Sequence, residues 1–386
     1  MKKLGLIILI LIISKSYIYA EGESFISPSL DNISNNFEFQ DLDKMINDEL
    51  EDKNLANKKP LKQLALDIIK GESLLNKESI YTNLKSSFLK EIKLNISMLW
   101  KIFIIALLSS ILRNLQATFE QSSIGEIANY VIYILISTLI IQSFTQTMLI
   151  MGQSIEKMTN IMSLLLPIIM SFLIITSGPN ARILFHPMLL GTVNIVGVLV
   201  KNIIIPLITF SFILSIVSNL SSGIELNKLS DLSRKIIIYI ISIGFTIFIG
   251  VLTIYGFSNK IDGLSIRTAK FAVDKFIPIV GGFLSDAVDT VISSSAILKN
   301  GIGIIGLSVL ILIIMTPLVK ITSILLIYGL IAAMIQPIVD KNITNLFTDV
   351  SKTLVLVLIT TLSIGSMFFI TITMLVDTGN SLLMLR

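Results

Sequence analysis

The chain has 386 residues, 53% of them hydrophobic, with a mean hydropathy of +0.85 and a formal net charge of +4. A soluble domain of this length does not carry such a composition, so the chain reads as a polytopic, all-α membrane protein. It contains no cysteine, which excludes disulfides, thiolate metal sites and thiol nucleophiles.

Residues 1–20 combine a basic start at Lys2 and Lys3, an apolar run from Leu4 to Ile13 and a small residue at Ala20. This is the pattern of a secretory signal peptide, because a run of about ten apolar residues falls short of the roughly twenty that a spanning helix needs. Residues 21–93 are therefore expected outside the cytoplasm, as a linker followed by amphipathic helices. Ser24 to Gln40 is rich in Asn and Ser and has no periodicity, so a flexible stretch is expected there. Between Glu21 and Lys93 the chain places fourteen of its 26 acids and ten bases. That mild acidic balance points to protein partners and away from nucleic acid.

Leu61, Leu64, Ala65, Ile68 and Ile69 recur at spacings of three and four before Gly71, which predicts a helix. Ile80, Leu84, Phe88, Ile92 and Ile96 recur every four residues and predict a second helix that runs into the first span. The pair fits a small solvated cap or a docking surface for an extracytoplasmic partner.

Residues 94–386 form the multi-span region, with about 7 to 9 spans expected from segments near the length that crosses the hydrocarbon. The apolar segments are Leu94 to Leu112, Ile127 to Met151, Ile161 to Thr176, Ile183 to Val200, Asn202 to Asn219, Ile236 to Phe257, Ile302 to Val319, Ile321 to Ile338 and Thr353 to Val376. Two pairs abut at Lys201 and Lys320. Each junction is either a tight hairpin or one longer tilted helix with a buried or snorkelling lysine. Bases occur in nearly every loop, so the positive-inside rule sets no orientation.

Little in the sequence offers catalysis. The single His186, before Pro187 at an expected helix start, has no companion ligands for a metal. There is no GxxxxGK[ST] loop and no GxSxG elbow, and Ser293 to Ser295 has no adjacent base. No enzymatic activity and no cofactor are expected. The nine apolar segments hold essentially one charge, Lys101, whereas an ion-coupled carrier keeps ionisable groups within its spans.

One stretch departs from this pattern: FIPIVGGFLSDAVDTVISSSAILKNG, residues 276–300 and Gly301. Pro278, Gly281 and Gly282 are expected to interrupt a helix, with a new amphipathic one starting near Phe283. On it Asp286, Asp289, Thr290 and Ser293 share a polar face, followed by Lys299 and Asn300. The segment is re-entrant, interfacial or the wall of a water-filled path, and its small residues also suit helix–helix assembly.

The same stretch, extended through GIGIIG, resembles the best-marked segment of the stage III sporulation protein AE family of endospore-forming bacteria. The Pro-x-x-Gly-Gly and Ser-Asp-Ala-Val-Asp strings carry the resemblance. It implies a membrane core component of a mother-cell-to-forespore channel complex, secretion-like, required for forespore development. Partners implied are a secretion-type ATPase, small membrane subunits and ring-forming subunits, together with membrane lipid. It places the chain in the mother-cell membrane facing the forespore, with the region after Ala20 between the two membranes. The alternative is an autonomous small-solute permease using Asp286 and Asp289, and an intramembrane enzyme ranks below both.

Overall fold

The computed structural model describes residues 37–52, 59–70, 77–119, 122–177, 179–220, 226–276, 280–339 and 341–378. The expected signal peptide, residues 24–36 of the expected linker, and Pro278 lie outside the described residues. Among the described residues the fold is all-α. The elements are α1 (Phe37–Asp52), α2 (Leu61–Ile69), α3 (Lys77–Phe119), α4 (Ser122–Ser177), α5 (Pro179–Leu199), a π-helical turn (Val200–Ile204), α6 (Ile205–Leu220), α7 (Asn227–Phe276), α8 (Val280–Ile335) and α9 (Lys341–Asp377). Among the described residues five helical stretches are long and apolar enough to cross a membrane: Tyr130–Ile175, Pro187–Leu220, Asn227–Ile254, Thr290–Ile335 and Lys341–Asp377.

The nine apolar segments fall on fewer, longer helices. The segments flanking Lys320 are one helix, α8, and those on either side of Glu156 are one helix, α4. Those flanking Lys201 are joined through the π-turn without a loop. The cause of that turn is Pro206, which has no N–H to donate and whose ring would press on the carbonyl four residues back. Widening the preceding turn relieves this, and the Ile205 N–H accordingly donates to the Val200 carbonyl, five residues back. His186 and Pro187 lie inside α5, not at a helix start.

The core sits around α8. From Ile292 to Met315 no residue of it is exposed, because α2, α3, α4, α7 and α9 all pack against it. Its glycines permit that crowding. A Cβ at Gly303 would run into Val376 of α9, and one at Gly306 into Leu165 of α4. Conversely, a Cβ at Gly365 of α9 would meet Ile314 of α8 at 2.5 Å. The two contacts with α9 make α8 antiparallel to it, and Gly306 against Leu165 together with Tyr328 against Ser143 makes it antiparallel to α4. Backbones approach this closely in membrane-type packing because dispersion between them, and not water exclusion, supplies the attraction.

At the N-terminus, α1 includes Phe37 to Gln40, which corrects the expectation of a flexible stretch as far as Gln40. Phe39, Leu42, Ile46 and Leu50 are buried on one face, against α4 and α8. Burial of such a stripe stabilises a helix that propensity alone would leave marginal. The Asp43 carboxylate accepts from the Leu61 N–H and so caps α2. In α2, Leu61, Leu64, Ala65 and Ile69 are buried, as the spacing predicts. The helix predicted through Ile96 is α3, which continues unbroken to Phe119.

Candidate functional site

The segment singled out by sequence is the start of the central helix. Gly281, Gly282, Asp286 and Asp289 belong to α8, which begins at Val280 and not near Phe283, and runs on for 56 residues. Thus the expected short amphipathic helix is the first part of a long one. The glycines at 301, 303 and 306 do not end it, because the helices packed over them hold it in place. Thr290 is exposed, Ser293 is half-buried, and Lys299 and Asn300 are buried.

Lys299 has 0% exposure. Its ammonium donates to the Thr378 carbonyl at the C-terminus of α9, and Asp377 beside it supplies a countercharge. A cation placed on the last carbonyls of a helix satisfies orphan acceptors and the negative end of the helix dipole. Lys299 therefore ties α8 to the end of α9. Two residues on, Gly301 faces the Ala65 carbonyl of α2, which a Cβ added at this glycine would meet at 3.5 Å.

A second polar node joins α6, α7 and α9, and sequence reasoning missed it. Arg234 is 7% exposed. Its Nη2 donates to Ser215 Oγ at 2.6 Å, to the Asp349 carbonyl at 3.0 Å and to Thr353 Oγ1 at 3.3 Å. Nη1 pairs with Asp231 at 2.7 Å and lies 3.9 Å from the Asp349 carboxylate. Asp349 also accepts from Asn219 at 3.1 Å and Lys352 at 2.9 Å. Ser230 bonds Ser211 and Ser215 beneath them. The available signal was Ser211, Ser215, Ser218 and Asn219, one polar stripe on an otherwise apolar helix.

Two further ion pairs anchor the N-terminal helices to this body. Glu49 of α1, 5% exposed, meets Lys157 of α4 at 2.7 Å. Glu91 of α3 meets Lys320 of α8 at 2.8 Å. Lys157 and Lys320, which interrupt apolar runs, are thus matched by carboxylates far away in sequence, whereas Lys201 is exposed.

As chemistry, these are fastening groups. Among the described residues no three His, Cys, Asp or Glu side chains come together as metal ligands. A groove of about 320 Å³ between α4 and α6 is lined by Ile141, Phe144, Met148, Phe212 and Ile213 with two threonines, and Phe144 stacks on Phe212 at 3.6 Å. Nothing titratable faces it, so it suits hydrocarbon and not a polar solute.

The comparisons with known proteins agree on one family. The family model "Stage III sporulation protein AE" matches residues 60–379, from the start of α2 to just past α9. Stage III sporulation protein AE of Bacillus subtilis (strain 168) is 32% identical over 322 residues, which is 83% of this chain and 81% of that protein. No solved structure matches.

Proposed function

Because the chain belongs to the stage III sporulation protein AE family, and so has a role in sporulation, we propose that it is the membrane core component of a channel complex between mother cell and forespore. In this reading it acts by assembly. A secretion-type ATPase supplies the energy, and small membrane subunits and ring-forming subunits complete the conduit. The chain sits in the mother-cell membrane, with its N-terminal helices in the space facing the forespore.

The observation that favours this over an autonomous carrier is the use made of charge. Arg234, Lys299 and Lys320 are each held by groups of the same chain. A driven carrier instead needs ionisable groups free to take up and release an ion. Locked pairs of this kind give a scaffold its fixed geometry.

The test is affinity purification from detergent-solubilised sporulating cells, with subunits identified and copies counted. Recovery in a fixed ratio with an ATPase and other membrane subunits is the expected result. Recovery of this chain alone, in amounts equal to its membrane content, would overturn the reading.

A further inference from the structure

We infer that the bilayer covers only about half the length of the long helices, and that the rest, sheathed by α1 and α2, stands in water as a helical domain. This holds whichever complex the chain joins.

The argument begins with length. At 1.5 Å per residue the 56 residues of α4 extend about 84 Å, far more than the roughly 30 Å of hydrocarbon, and tilt alone does not absorb the difference. Exposed side chains show where the hydrocarbon lies. On α3 large apolar residues are exposed from Leu89 to Ile111, with Lys90 and Lys93 at one end and Lys101 exposed among them, and on α4 from Ile127 to Leu149 with no exposed charge. Each stretch is about 33 Å. The end of α8, with Leu326, Leu330 and Met334, and the π-turn with α6, from Ile203 to Val217, continue the band.

Beyond it the surface changes character. From Ile150 to Ile174 the exposed residues of α4 are Gln153, Glu156, Lys157 and Asn160. The matching part of α8 is wholly covered, partly by α1 and α2. Those two present Gln40, Asp41, Lys44, Asp48, Gln63 and Lys70 outward, a charged face that hydrocarbon would not solvate.

On α3, α4 and α8 the change falls at one level. Equal steps from the Gly306–Leu165 contact along the antiparallel pair reach Lys320 on α8 and Met151 on α4. Glu91 is bonded to that Lys320. Gly152 faces Ile205, just past Lys201 and Asn202. Thus the residues that divide the apolar runs lie together, as charges at a membrane surface do. Past that level α5 exposes Met188, Ile195 and Val198 beside Pro187 and Asn194. On α7 the uncharged exposed run starts after Lys235 and reaches Ile254, about 27 Å. The Ser230–Ser211 contact sets the exposed Asp231 and Lys235 level with the band on α6, and the exposed Lys352 of α9 joins the same node, so on this side the apolar surface begins further along the bundle.

The natural absence of cysteine makes the test direct. Single cysteines in the full-length chain, in membranes opened by freeze–thaw, are challenged with a charged maleimide. Gln63→Cys, Gln153→Cys, Asn160→Cys and Lys235→Cys are expected to label, whereas Ile104→Cys, Ile134→Cys, Ile213→Cys and Ile247→Cys label only after SDS is added. Protection of Asn160→Cys equal to that of Ile134→Cys would overturn the inference. Independently, the one tryptophan, Trp100, is 53% exposed inside the band. Lipids brominated along the acyl chains are expected to quench it, and to leave unquenched a Trp100→Phe, Asn160→Trp variant. The reverse pattern would contradict the proposal.

Discussion

Removing Arg234 isolates the strongest claim about how this helix bundle is held. Arg234 is 7% exposed, and its guanidinium joins α6, α7 and α9. Breaking a buried ion pair by removing one partner costs about 3–5 kcal/mol. Arg234→Met belongs near the lower end, about 3 kcal/mol, because Asp349 keeps Asn219 and Lys352 as partners. Asp349→Leu is expected to cost about the same or somewhat more, since Arg234 then retains Asp231, itself 55% exposed. If the two act as one unit, the double variant loses only about 3–4 kcal/mol, a coupling of about 2–3 kcal/mol. The assay is SDS-induced unfolding in mixed micelles, followed by helical circular dichroism on all four proteins. A double variant whose loss equals the sum of the singles would refute the reasoning.

Other consequences follow from the same contacts. Gly306→Val is expected to lower the amount of folded protein through the clash with Leu165, whereas Gly329→Ala, with open space at its Cβ position, is expected to be neutral or stabilising by up to about 1 kcal/mol; detergent-resistant yield compares them. Glu91→Lys strands two cations at the α3–α8 contact and is expected to deplete the protein from membranes, with recovery when Lys320→Glu restores the pair; immunoblots of membrane fractions measure both. If the polar face at the start of α8 serves the conduit, Asp286→Asn with Asp289→Asn blocks forespore development while membrane levels stay normal. Loss of the protein itself would assign those carboxylates to folding.

Periodicity made much of the architecture legible. The apolar runs are helices, and the four-residue recurrence from Ile80 to Ile96 is the first half of α3. Span organisation was less accessible, because two apolar runs meeting at a lysine look the same whether they turn back or continue. What settles the matter at Lys320 is Glu91, on a different helix. Arg234 with Lys235 reads locally as a basic flank, since its partners come from α6 and α9. In α1 the spacing of Phe39, Leu42, Ile46 and Leu50 was present, masked by surrounding acids whose outward direction depends on α4. The GIGIIG string was noticed for its resemblance, and its physical meaning appeared only where Val376 and Leu165 close over Gly303 and Gly306.

The central claim is that this chain lends structure to a larger apparatus and moves nothing by itself. Purified protein reconstituted alone into liposomes, under a proton or sodium gradient and offered a panel of small solutes, tests that most directly. Uptake indistinguishable from protein-free vesicles is predicted, and gradient-dependent accumulation of any solute would contradict the account.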